Sequence, residues 1–131
     1  MKDGKHVILC IDDDEDILYA LRLVLEKDGY KVLEARSAEE GLRVYRQHRA
    51  DLVIVDLMME EVDAGVAFVK ELRALGNPPP IYMLSSVGDT LSVSTDYAAL
   101  GLDGVFQKPL DNETLLRVLR TRLKSQPGPR A

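Results

Sequence analysis

The chain has 131 residues, 46% of them hydrophobic and 30% charged, with 17 basic against 22 acidic side chains and a formal charge of −5. That length suits one domain with its own core, the composition excludes disorder and a collagen-like fibre, and a single cysteine excludes an intrachain disulfide. With no apolar run near the ~20 residues of a membrane span, a polar Met1–His6 start unlike a signal peptide, and no excess of cations for phosphate backbones, the expectation is a cytoplasmic domain that binds neither membranes nor nucleic acid directly.

Val7, Ile8, Leu9 and Cys10 make His6–Ile11 a buried strand candidate. Ile17, Leu18, Leu21, Val24 and Leu25 then recur at helical spacing, and Gly29 marks the stop of that helix. Val32–Ala35 is a short second strand. Ser37 with Glu40 three residues on is a capping box opening a helix to about His48. Leu52–Val55, an unbroken apolar run ending at Asp56, predicts a central strand. A polar loop follows, then a helix from about Gly65 to Leu75, broken by Asn77-Pro78-Pro79-Pro80. Ile81–Leu84 is the fourth strand, Leu91–Leu100 a weak helix rich in Ser and Thr, and Val105–Gln107 the fifth strand. Asp111 caps a last helix carrying Leu115, Leu116, Leu119 and Leu123.

Five strands alternating with five helices predict βαβ units, hence an α/β fold with a doubly wound, five-stranded parallel sheet covered on both faces. The functional crevice of such a sheet lies beyond the carboxyl ends of its strands. Asp12, Asp13, Asp14, Glu15 and Asp16 follow strand one, Asp56 follows strand three, Ser85 and Ser86 follow strand four, and Lys108-Pro109 follows strand five. Crowded carboxylates repel, and a hard divalent cation with an oxygen shell relieves them. Mg²⁺ favours one or two carboxylates with waters and phosphate oxygens, and a lysine serves as a point charge for phosphate. The set reads as a phosphoryl-transfer site.

In four landmarks the chain resembles the receiver domain of two-component response regulators: the Asp12-Asp13 pair, Asp56, Ser85 after Pro80-Ile81-Tyr82-Met83-Leu84, and Lys108-Pro109. The resemblance covers about residues 5–124 and leaves 125–131 as a flexible tail or linker stub. It implies a flavodoxin-like, CheY-like (βα)5 fold with Asp56 as phosphoacceptor. It also implies Asp13 as a direct ligand of Mg²⁺ (or Mn²⁺), Asp12 acting mainly through water, and the Met58 carbonyl completing the coordination. Lys108 would pair with the acceptor and then with a phosphoryl oxygen, the Ser85 hydroxyl would bond another, and Lys108-Pro109 would be a cis peptide. Ser86 remains an alternative to Ser85.

Blander readings hold for several neighbours. Asp14, Glu15 and Asp16 suit the start of a helix, whose dipole favours acids. A calcium loop from Asp12 fails, because Ile17 stands where glycine is needed and Leu23 where glutamate is needed. Cys10 reads as a buried inert thiol, and His6 and His48 as surface residues. Arg117, Arg120, Arg122 and Lys124 suit the end of a helix, with a docking face as the alternative.

Three places depart from the family pattern. Glu60 stands where the loop after the acceptor usually has proline, and Asp63-Ala64-Gly65 is one residue longer than usual. Val105 takes the place of the switch aromatic, with Phe106 next to it and expected to fill the core. The segment from Ser86 through Gly88, Ser92, Ser94 and Thr95 has poor helix propensity and is a candidate mobile element. Met58 and Val87 hold the positions that flank the path of the hydrolytic water, and being apolar they imply a long-lived phosphorylated state.

The leading expectation is a phosphorylation-controlled signalling module. It would take its phosphoryl group from a sensor histidine kinase or phosphotransfer protein and switch an unidentified downstream protein partner. It would be a monomer or a weak phosphorylation-dependent dimer, and no enzyme beyond its own phosphorylation and dephosphorylation. The alternatives are a haloacid-dehalogenase-like phosphatase, for which a second acidic cluster after Lys108 is lacking, and a scaffold that is never phosphorylated.

Overall fold

The computed structural model describes residues 5–56, 64–76, 78–85, 103–107 and 111–124. Among the described residues nine elements follow in order: β1 Val7–Ile11, α1 Glu15–Lys27, β2 Lys31–Ala35, α2 Ala38–His48, β3 Leu52–Asp56, α3 Ala64–Ala74, β4 Ile81–Ser85, β5 Gly104–Gln107 and α4 Asn112–Lys124. The strands form one sheet in the order β2-β1-β3-β4-β5, and every neighbouring pair is parallel. This is the flavodoxin-like order, with the direction of winding reversing between β1 and β3. The helix expected over 91–100 lies outside the described residues. No helix among the described residues is long and apolar enough to cross a membrane.

Alternation along the strands divides the core in two. Ile8, Cys10, Leu52, Ile54, Tyr82, Leu84 and Phe106 face one way, against Leu18, Leu21 and Leu25 of α1 and Leu115, Leu119 and Leu123 of α4. Leu9, Ile11, Val53, Val55, Ile81 and Met83 face the other way, against Tyr45 of α2 and Phe68, Val69 and Leu72 of α3. With both faces covered, β1 and β3 are buried at every position. That is why they read as continuous apolar runs rather than alternating ones. Each fully buried Leu, Ile or Phe contributes about 1.5–3 kcal/mol, so these two layers carry the fold.

Local chemistry sets the helix ends. The Asp14 carboxylate caps α1 by accepting the Asp16 N–H at 2.9 Å. Gly29 follows the C-cap Asp28 at φ +92°, the left-handed stop expected of it. At α2 the Ser37 hydroxyl accepts the Glu40 N–H at 3.1 Å, while the Glu40 carboxylate reaches back to the Arg36 N–H at 2.8 Å. The box therefore closes one residue before the cap, which also fastens the end of β2 to α2.

Candidate functional site

Asp12 continues the line of β1, its N–H donating to the Ala35 carbonyl at 3.1 Å just past the β1–β2 ladder. Its Oδ1 accepts the Asp14 N–H at 2.9 Å, which tightens the turn into α1. Ile11 is in register with Val55, so Asp12 and Asp56 end adjacent strands. Both are buried, 1% and 3% exposed, whereas Asp13 is exposed. One carboxylate oxygen from each of Asp12, Asp13 and Asp56 lies within 4.8 Å of the others. The three acids singled out in the sequence therefore meet at one point, at the end of the sheet next to the winding reversal.

The donor set fits a hard cation. All three groups offer oxygen, two are held by the ends of rigid strands, and the exposed Asp13 leaves the cluster open to solvent. Oxygens on one Mg²⁺ at ~2.1 Å would lie ~3–4 Å apart, and the 4.8 Å that bounds the separations here is close to that.

Arg36, the residue after β2, pairs with Glu15 in the first turn of α1 at 2.7 Å. Arg22 of α1 likewise pairs with Glu34 of β2 at 2.9 Å. Burial pushes the Cys10 thiol far above its ordinary value, with Glu34 and Asp12 adding to it, so this cysteine is an inert part of the core.

Ser85 is the last residue of β4 rather than the first beyond it, because its backbone still pairs with Gln107 of β5. It follows Leu84, the register partner of Asp56, and so stands at the same end of the sheet as the acids. Phe106 is buried, as expected of it, and stacks on Tyr82 with ring centroids 5.2 Å apart. Val105 is partly buried and in register with Met83. Met58, Glu60, Val87, Lys108 and Pro109 lie outside the described residues. Two features had no sequence signal of their own: the hydrogen bonds that the Asp51 and Asp103 carboxylates accept from the Val7 and Ile81 N–H groups of neighbouring strands, and the contact of Arg122 with Tyr82 at 3.3 Å and with Asp103 at 2.6 Å.

Comparison with known proteins agrees with this geometry. The family model of the response regulator receiver domain matches residues 8–120. The transcriptional regulatory protein GlrR of Escherichia coli K12 is 35% identical over 120 residues, covering 89% of this chain and 26% of that protein. CseB of Streptomyces coelicolor, also named a transcriptional regulatory protein, is 32% identical over 124 residues, 95% of this chain and 51% of its own. The chain thus spans about a quarter to a half of the length of these relatives. Among solved structures, a response regulator from Chloroflexus aurantiacus has a TM-score of 0.82 at 29% identity, covering 92% of this chain and 98% of its own. The chemotaxis protein CheY4 of Vibrio cholerae has a TM-score of 0.81 at 30% identity, covering 90% and 98%. The family match spans Asp12, Asp13, Asp56, Ser85 and Lys108 in the sequence, and the chain belongs to the receiver domains of two-component response regulators.

Proposed function

We propose that Asp56 is the phosphoacceptor of this receiver domain. The observation that carries the reading is the meeting of Asp12, Asp13 and Asp56, with Asp56 ending the strand in the middle of the sheet. A sensor histidine kinase or phosphotransfer protein is the donor. A carboxylate oxygen of Asp56 forms a bond to phosphorus as the bond from phosphorus to the histidine nitrogen breaks, leaving an acyl phosphate and a free imidazole. The transition state is loose, so the protein contributes chiefly position and charge. Asp12, Asp13 and Asp56, with the Met58 carbonyl, are the groups that would hold Mg²⁺ or Mn²⁺. The ion, when bound, supplies positive charge against the phosphoryl oxygens. Lys108 adds a second positive charge, and the Ser85 hydroxyl donates to a phosphoryl oxygen.

The chemistry is confined to the domain's own phosphorylation and dephosphorylation, and its output is altered affinity for a protein partner. A formal charge of −5 favours protein surfaces over phosphate backbones as that partner, in the cytoplasm where the donor kinase presents its histidine. Incubation with acetyl phosphate and Mg²⁺ followed by peptide mapping tests the reading. Label on Asp56, lost in Asp56→Asn with folding intact, is the expected result. Label shared equally with Asp12 or Asp13 would overturn it.

A further inference from the structure

We propose that Glu15 holds the Arg36 guanidinium away from the acid cluster, and so keeps Asp12, Asp13 and Asp56 available to a divalent cation. The proposal rests on the reading of that cluster as a Mg²⁺ site given above. It gives a role to an acid that suits the start of α1 but is not itself one of the clustered groups. Glu15 is here a positioning residue, acting through Arg36.

Arg36 is the natural competitor for the ion. Ile11 and Ala35 are register partners, and the Ala35 carbonyl accepts the Asp12 N–H at 3.1 Å, so Arg36 leaves β2 right beside Asp12. Ile8, Cys10, Val32, Leu52 and Ile54 face the layer under α1, so alternation turns Asp12, Arg36 and Asp56 to that same side. Neighbouring strands lie ~4.8 Å apart, a gap that a guanidinium on a three-carbon stem spans. The Arg36 backbone is fastened, its N–H donating to the Glu40 carboxylate at 2.8 Å, so only the side chain is left to swing.

Glu15 is placed to hold it. It follows Asp13 by two residues, which keeps their Cα atoms within ~7.6 Å of each other, and its Oε2 takes the Arg36 Nη1 at 2.7 Å. The two side chains are 59% and 66% exposed, so the pair rather than packing sets where the guanidinium lies. Arg22 and Glu34 bridge the same two elements differently: Nε and Nη2 meet both carboxylate oxygens, at 3.0 and 2.9 Å. Arg22 stands seven residues beyond Glu15, ~10 Å further along α1. An exposed pair such as Glu15–Arg36 contributes little to stability; what it governs is where a charge stands. Without Glu15, three crowded carboxylates draw the freed guanidinium to themselves, and the ion then has to displace it. A unit charge gained ~8 Å from a divalent ion changes its affinity by about 5-fold even at the dielectric of water.

The test adds Mg²⁺ in steps at low ionic strength and follows the backbone amides of residues 12–16 by ¹⁵N NMR. It compares wild type with Glu15→Gln, Arg36→Gln, the double variant and Arg22→Gln. Glu15→Gln should bind Mg²⁺ at least about 5-fold more weakly, and Arg36→Gln at least as tightly as wild type. The double variant should return to within about twofold of wild type, a rescue that loss of a merely structural ion pair would not give. Arg22→Gln, which breaks the distant pair, should leave the affinity unchanged. Wild-type affinity in Glu15→Gln, or a double variant as weak as Glu15→Gln, would overturn the proposal. A wild type whose amides do not respond to Mg²⁺ would strike the reading of the cluster itself, and this proposal with it.

Discussion

Asp103 and Ile81 bond to each other twice: the Asp103 N–H donates to the Ile81 carbonyl at 2.7 Å, and the Asp103 carboxylate accepts the Ile81 N–H at 2.8 Å. Asp51 and Val7 repeat the arrangement, at 2.7 Å for both bonds. In each case the aspartate precedes a strand and closes the first N–H of the neighbouring parallel strand, a donor that the ladder itself leaves without a partner. Asp51 thereby joins the start of β3 to β1, and Asp103 joins the start of β5 to β4.

Removing either carboxylate leaves a strand N–H to find another acceptor, at a cost of about 1–3 kcal/mol. Asp51→Ala tests this at Val7, which is buried. Urea unfolding should show Asp51→Ala less stable by that amount, with Asp51→Asn recovering at least half. Equal stability of all three proteins would show that the paired bonds contribute nothing.

The acid cluster should cost stability when no cation is bound. Like charges within 4.8 Å of each other repel by about 3.5 kcal/mol at that limit with an effective dielectric of 20. Part of the relief on removing one is offset by lost hydrogen bonds at about 1 kcal/mol each. Asp56→Asn should therefore be more stable than wild type by about 1–2 kcal/mol without divalent ions. Mg²⁺ should raise the wild-type melting temperature by mass action and leave that of Asp56→Asn nearly unchanged. A wild-type melting temperature flat from zero to tens of millimolar Mg²⁺ would count against the site.

Arg49 ends α2 with φ 62° and ψ 172°, a region that is almost reserved for glycine. Its guanidinium lies 5.2 Å from the centre of the Tyr45 ring, a partial compensation. Arg49→Ala removes the compensation and keeps the strain, whereas Arg49→Gly removes both. The glycine variant should be more stable than the alanine variant by about 1–2 kcal/mol, the reverse of their order at an ordinary helical position. Denaturant midpoints of the two variants decide this, and alanine ahead of glycine would refute the strain.

How much of this was legible beforehand depends on what each residue touches. β1, β3 and β4 declare themselves because both of their faces are covered, leaving apolar runs interrupted only where the chain exits at Asp12, Asp56 and beyond Ser85. The acids were legible for the same reason, since a carboxylate directly after a buried strand has few places to go. Asp51 and Asp103 were not, because an aspartate before an apolar run reads equally well as a turn, and its partner lies 44 or 22 residues away. Tyr82 was legible as core but not as the residue that covers Gly104, which depends on register across two strands. The strained backbone of Arg49 has no composition cue at all, standing in Arg-Ala-Asp with no glycine or asparagine.

The start of α4 should be sensitive to acid. Asp111 accepts the Thr114 N–H at 3.3 Å as well as the Thr114 hydroxyl, and that side-chain hydrogen bond holds its carboxyl below the ordinary value of 3.8. A carboxyl depressed in the folded state stabilises fully above its unfolded value and loses that contribution as pH falls through the folded one. Amide exchange in the first turn of α4 should therefore quicken below about pH 4 relative to the rest of the helix. Asp111→Asn should remove the pH dependence, and a wild-type first turn indifferent to acid would contradict the cap.

The phosphorylated state should be long-lived. The residues two after the acceptor and two after the hydroxyl, Met58 and Val87 by the Ser85 alignment, flank the approach of the hydrolytic water in receivers. Neither side chain can hydrogen-bond strongly to a water, and both should keep it from the in-line position. A polar pair there could orient the water, as a positioned amide does in other phosphoryl-transfer sites. Losing that orientation forfeits about 1–3 kcal/mol of barrier lowering, or ~5–150-fold in rate at 1.36 kcal/mol per decade. Glu60 and Glu61 offer carboxylates in the loop after the acceptor, and Glu60→Ala/Glu61→Ala would show whether they recruit a water of their own. Loss of the phosphoryl group after donor removal should be faster in Met58→Asn/Val87→Glu than in wild type and unchanged in the glutamate variant. A wild-type half-life of seconds, or a polar double variant no faster than wild type, would overturn the assignment of Met58 and Val87.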